Sequence, residues 1–126
     1  MRITKEIKEA IASSTVPVLL GNGASFPLAW RLYRTLGTVS LRLGARRRFL
    51  ELFGIFCVFR RAANDARVLL EQLSDIFEEF DGYLLFLIPT DEPSRRLIET
   101  HRDFLVARFI LSEPDEVLLH IPYLKG

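Results

Sequence analysis

Gly21-Asn22-Gly23-Ala24-Ser25 is the run of this sequence best suited to hold a ligand. It closes an apolar stretch, Val16 to Leu20. It opens a segment in which Leu28, Leu32 and Leu36 recur at four-residue spacing until Gly37, with Pro27 just inside. That order reads as strand, tight turn, helix and glycine stop. Free backbone N–H groups at a helix N-terminus attract anions, so Gly21, Asn22, Gly23 and Ser25 are candidate substrate or anion ligands. A second candidate group, Thr90 and Asp91, follows the apolar run Tyr83 to Ile88. A carboxylate at that place could hold a substrate amine or assist a proton transfer. It would equally serve as the cap of the next helix.

Other chemistries lack their residues. The turn carries G-x-G, but Phe26 stands where a dinucleotide fingerprint has its third glycine or alanine. No acidic residue ends the second strand to hold ribose hydroxyls. Arg42 stands there instead, and an arginine at that place can accompany a 2′-phosphate, which leaves a small NADP-like nucleotide site as an alternative. There is no G-x-S-x-G elbow and no G-K-[ST] phosphate loop. His101 and His120 are isolated, without the spacing of a metal pair, so no metal site is expected. Cys57, the single cysteine, sits in GIFCVF and reads as a buried structural thiol; no intrachain disulfide can form.

These candidates sit in a chain of 126 residues, enough for one domain with a real core. Apolar residues make up 49% and charged residues 26%, a globular composition. The net charge of +1 gives no global field toward nucleic acid or a membrane surface, and neither is expected as a partner. No apolar run is long enough to span a bilayer. The start, MRITKEIKEAIASS, has no signal-peptide core, so a cytoplasmic location is expected. Charge is nevertheless segregated. Arg42, Arg46, Arg47, Arg48, Arg60 and Arg61 crowd one stretch; Asp65, Glu71, Asp75, Glu78, Glu79 and Asp81 crowd the next. Two solvated faces of neighbouring elements account for this.

The elements that position the candidates follow from periodicity. Ile3, Ile7 and Ile11 predict an amphipathic N-terminal helix within residues 1–14. Strands are expected at Val16 to Leu20, Thr38 to Leu43, Gly54 to Arg60, Tyr83 to Ile88 and Arg108 to Leu111. Between them lie a helix over Ser25 to Leu36 and a basic connection over Gly44 to Glu51. A further helix is capped by Asn64, with Leu69, Leu73, Ile76, Phe77 and Phe80 on its apolar face. The next is capped by Thr90 or Asp91 and runs to about Arg102. Ser112 and Asp115 form a capping pattern before a last short helix stopped by Pro122, within an apolar C-terminal segment, 112–126. Strands alternating with helices predict one α/β domain over residues 1–126. Its doubly wound, mostly parallel five-stranded sheet would have the order 3-2-1-4-5, Rossmann-like, with helices on both faces. The run Tyr83 to Ile88, apolar throughout, should be a central strand buried on both sides. Ligands in such sheets bind beyond the carboxyl ends of the strands, near the switch point. The two loops expected there are Gly21 to Ser25 and Pro89 to Pro93.

The stretch PVLLGNGASFPLAWRLYRTLG resembles the opening of the N-terminal, pre-ATP-grasp domain of ATP-grasp carboxylate–amine ligases of the D-aspartate ligase and carbamoyl-phosphate-synthase-like kind. YLLFLIPTDEPSRRLIETHRDFLVARFILSEPDEVL is similar to a later part of the same domain, and the likeness covers most of residues 15–119. The resemblance implies a domain that packs against ATP-binding domains and helps form the acceptor-substrate side of an active site. There ATP activates a carboxylate as an acyl phosphate and an amine displaces the phosphate. It implies Gly21, Asn22, Gly23, Ser25, Thr90 and Asp91 as substrate-side positions, for a small carboxylate or amine. ATP and Mg would be held by a separate ATP-grasp half, so the chain by itself is expected to be inactive. A fragment or subunit of a ligase, active with that half, is the alternative. Val117 to Leu124, crowded with apolar residues, is the expected contact with such a partner or with a second copy.

Overall fold

The structure, a computed structural model, describes residues 14–22, 25–45, 57–114 and 116. Strand β1 (Thr15–Leu20) leads into helix α1 (Ser25–Leu36) and strand β2 (Ser40–Gly44). Strand β3 (Cys57–Arg61), helix α2 (Ala66–Glu79) and strand β4 (Leu84–Pro89) follow. Helices α3 (Glu92–Thr100) and α4 (Arg102–Val106) precede the short strand β5 (Ile110–Leu111). The sheet is parallel throughout, in the order β3-β2-β1-β4-β5, as expected from the sequence. The expected helix at the N-terminus, Gly23, the arginines at 46–48, the start of the third strand, and Val117 to Leu124 lie outside the described residues.

Alternation along the strands builds two cores. Leu19, Phe86, Ile88 and Cys57 face one side and pack on Leu28, Ala29, Leu32 and Leu36 of α1. Val18, Leu20, Leu41, Leu43, Leu85 and Leu87 face the other and pack on Leu73, Ile76, Ile98, Leu105 and Phe109. Each fully buried aliphatic side chain stabilises the fold by roughly 1.5–3 kcal/mol. The path from β1 through α1 to β2 runs over the first face, and that from β3 through α2 to β4 returns over the second. Crossovers on opposite faces leave a crevice at the carboxyl ends, where the order reverses between β1 and β4. The ladder between β1 and β2 starts at Val18 and Leu41, one residue after Pro17, which has no N–H to give it.

Several boundaries and burials differ from the sequence reading. The central strand is Leu84–Pro89, and Tyr83 is 45% exposed. Tyr83 instead closes a turn, its N–H bonding the Phe80 carbonyl at 3.1 Å while its ring meets Phe80 edge-on. Asp65, not Asn64, caps α2, accepting from the N–H groups of Arg67 at 2.8 Å and Val68 at 3.4 Å. A capping side chain must stand directly before the first helical residue, and the helix starts at Ala66. Phe77 is 38% exposed, at the margin of the apolar face against Phe109. Helix α3 stops at Thr100, slightly before the expected end near Arg102, and after His101 the short helix α4 begins at Arg102. Arg42 departs furthest from the solvated face expected of it. It is 2% exposed, with its guanidinium 4.9 Å from the centre of the Phe59 ring. Cys57 is buried and reduced, as expected. Among the described residues, no helix is long and apolar enough to cross a membrane.

Candidate functional site

The carboxyl ends of β1 and β4 place the two candidate loops against each other. Thr90 begins the junction: its N–H and its hydroxyl both donate to the Leu20 carbonyl, at 2.8 and 2.9 Å. Asp91 follows as the cap of α3, its Oδ1 accepting from the Ser94 N–H at 3.0 Å. Its other oxygen, Oδ2, accepts from the Asn22 N–H at 2.7 Å. One carboxylate thus holds both the start of α3 and the turn after β1. The Asn22 side chain extends the link, its Oδ1 accepting from the Ala45 N–H at 2.6 Å. Gly21 donates to the Leu43 carbonyl at 2.9 Å. The ends of β4, β1 and β2 are therefore tied by a chain of short bonds with Asp91 and Asn22 at its nodes.

Gly21 is required by this closeness. Its φ is +117°, a conformation that side-chain-bearing residues rarely adopt. A Cβ there would lie 2.6 Å from Ser94 Oγ and 2.7 Å from both Asp91 oxygens. Gly44 is equally confined: a Cβ would meet Arg42 Nη1 at 2.8 Å, Asn22 Oδ1 at 3.0 Å and the Gly21 carbonyl at 3.0 Å. Arg42 therefore reaches close to the glycine turn. Its strand position, in register with Leu19 and Phe59, places it on the α1 side of the sheet.

On the opposite side of the sheet a cavity of about 330 Å³ opens between the strand ends and the starts of α2 and α3. Asn22, Asn64, Asp91 and Ser94 give it polar groups, and small residues such as Ala63 and Gly44 give it room. Gln72, from within α2, fixes its far wall. Its Oε1 accepts from the Ala63 N–H at 2.8 Å and its Nε2 donates to the Arg61 carbonyl at 3.0 Å. The volume suits a small organic ligand. Burial pushes the Asp91 carboxyl up, but the bonds from the Ser94 side chain, from the Asn22 and Ser94 N–H groups, and the charge of Arg95 outweigh it. The group is held below the ordinary carboxylate value and stays ionised. Such a group accepts hydrogen bonds and attracts cations; it is a poor proton acceptor near neutral pH.

Of the residues singled out by sequence, Gly21, Asn22, Thr90 and Asp91 come together here. Ser25 is the first residue of α1. Arg42 is close to the turn but does not line the cavity. Ser94, Gln72, Gly44 and the alanines at 62 and 63 were not singled out. The signal for the small residues is present in the sequence: Gly44-Ala45 closes β2, and Ala62-Ala63 follows β3 directly. Among the described residues no cluster of three or more His, Cys, Asp or Glu side chains is arranged to hold a metal ion.

Comparison with protein-family models, with curated proteins and with solved structures finds no match to this chain.

Proposed function

We propose that this chain is a pre-ATP-grasp-type module, a Rossmann-like domain that binds a small carboxylate or amine at its switch point and does no chemistry alone. The observation that carries the reading is the Asn22–Asp91 bond at the rim of the 330 Å³ cavity. It joins the turn after β1 to the turn after β4, the two places where open α/β sheets hold their ligands. The resemblance over residues 15–119 supplies the ligase context, in which ATP and Mg belong to a separate ATP-grasp half. In the variant of this reading where the chain is a ligase subunit or fragment, that half completes the active site. Val117 to Leu124 is then the surface that meets it, or a second copy. The NADP-like alternative is less favoured, because Arg42 is almost fully buried against Phe59 and does not line the cavity.

The test is a titration of the ¹⁵N-labelled chain with glycine, alanine, aspartate and succinate, followed by NMR. Saturable shifts at Asn22, Ala63 and Ser94 are expected from at least one of them. Saturable shifts confined to other surfaces would refute the module reading.

A further inference from the structure

We propose that the switch-point cavity takes a small ligand that presents a protonated amine to Asp91, and that it excludes phosphate and carboxylate. This deepens the module reading above and rests on it.

The glycine turn looks from sequence like a cradle for an anion. In the folded chain it already holds one. The Asn22 N–H, one of the donors an incoming phosphate would use, points at Asp91 Oδ2 at 2.7 Å. The Ser94 N–H at the start of α3 is taken by Asp91 Oδ1 in the same way. The Asn22 N–H in the turn after β1 and the Ser94 N–H in the first turn of α3 are thus both answered by the protein's own carboxylate. A second anion would have to displace Asp91 or sit against its charge; like charges a few ångströms apart in a half-buried site repel.

The cavity's charge points the same way. Among its described lining residues, Asp91 alone is charged. Two of the described arginines stand nearby without lining it. Arg42 is buried on the α1 side against Phe59. Arg95 is engaged by Glu113 at 2.8 Å and Glu92 at 3.3 Å. A carboxylate has about four acceptor directions, and two backbone N–H groups and the Ser94 side chain occupy up to three of them. One direction is left for a donor from the cavity. An ammonium group supplies that donor together with a compensating charge, the stronger kind of hydrogen bond. Small apolar walls at Ala63, Ala66 and Leu69 leave room for a hydrocarbon body behind it.

The experiment uses four probes on the full chain: benzylamine, benzyl alcohol, benzoate and inorganic phosphate, followed by ¹⁵N NMR at low ionic strength. The first three share one ring and differ in the charge they carry. Benzylamine is expected to shift Asn22, Ala63 and Ser94 saturably and to bind about fivefold more tightly than the alcohol, the usual margin of a charge-assisted bond. Benzoate and phosphate are expected to bind more weakly than the alcohol. Asp91→Asn retains a capping oxygen while removing the charge, and should abolish the amine's advantage over the alcohol. Benzoate or phosphate binding as tightly as benzylamine would overturn the amine assignment while leaving a ligand site in place. So would an amine preference that survives Asp91→Asn. The wild-type ratio of amine to benzoate decides even if the variant fails to fold. No saturable shift at these residues from any probe would remove the amine assignment together with the small-ligand site beneath it.

Discussion

The Asn22 backbone N–H and the Asp91 carboxylate, 69 residues apart in sequence, meet at 2.7 Å. The contact joins the two loops at the reversal of strand order. It gives the Asn22 donor of a turn that resembles an anion cradle an acceptor within the protein.

Gly21→Ala should damage this junction more than an ordinary surface substitution. Its Cβ would fall within 2.7 Å of Ser94 Oγ and both Asp91 oxygens, at a φ of +117°. The expected loss is roughly 2–4 kcal/mol, read as a lowered midpoint in urea unfolding. A loss below about 0.5 kcal/mol would mean that the turn relaxes freely.

Asp91 also sets an acid dependence. Its folded-state carboxyl is held below its ordinary value of 3.8, so its contribution is fully present above that value. The contribution is lost as pH falls below 3.8 toward the lower folded value. Asp91→Asn should therefore reduce stability at pH 6 and flatten the pH dependence below 4. Asp91→Ala, which removes the cap as well, should cost about 1–2 kcal/mol at pH 6. Unfolding curves of the three proteins between pH 2.5 and 6 check the order; an unchanged acid limb in Asp91→Asn would contradict it.

Arg42 tests what a buried cation contributes. Arg42→Ala leaves a void beside Phe59 and should destabilise by roughly 2–4 kcal/mol. Arg42→Lys should be worse than a conservative exchange suggests, because an ammonium cannot stack as a flat guanidinium does on the ring 4.9 Å away. Thermal unfolding of both variants reads the effect, and a lysine variant as stable as wild type would show that only charge matters.

The Arg60–Glu79 pair should behave oppositely. Its two-pronged bond, 2.8 Å from Nη1 to Oε1, lies where both side chains are well exposed, at 38% and 47%. Glu79→Gln should cost less than about 1 kcal/mol, with the difference shrinking in 0.5 M salt. A larger, salt-independent loss would mark the pair as part of the core beside Phe80.

ATP should not bind the purified chain with micromolar affinity. Its sequence has no G-K-[ST] phosphate loop, and the glycine turn's Asn22 donor is already bonded to Asp91. Isothermal calorimetry with ATP and Mg is the check, and a micromolar Kd would promote the nucleotide-binding alternative.

Across the described residues, local patterning was enough to read the strands, the helices between them and their order. Period-four leucines marked α1, and the uninterrupted apolar run marked β4 as central. Strand–helix alternation with right-handed crossovers left few topologies besides β3-β2-β1-β4-β5. It also named Gly21, Asn22, Thr90 and Asp91, because turn and cap chemistry is local and leaves its mark in neighbouring residues. Tertiary structure decided which of two roles each one takes. Asp91 read equally as a cap or as a ligand for an amine. Only the approach of β1 to β4 shows that it caps α3 and holds Asn22 at once. Arg42 sits in an alternating strand, and alternation assigns a face without saying what covers it, so its burial could not be seen in advance. Gln72 and Gly44 escaped notice for the same reason. Their partners, the Ala63 and Arg61 backbone and the Arg42 guanidinium, come near only when the strands are laid side by side.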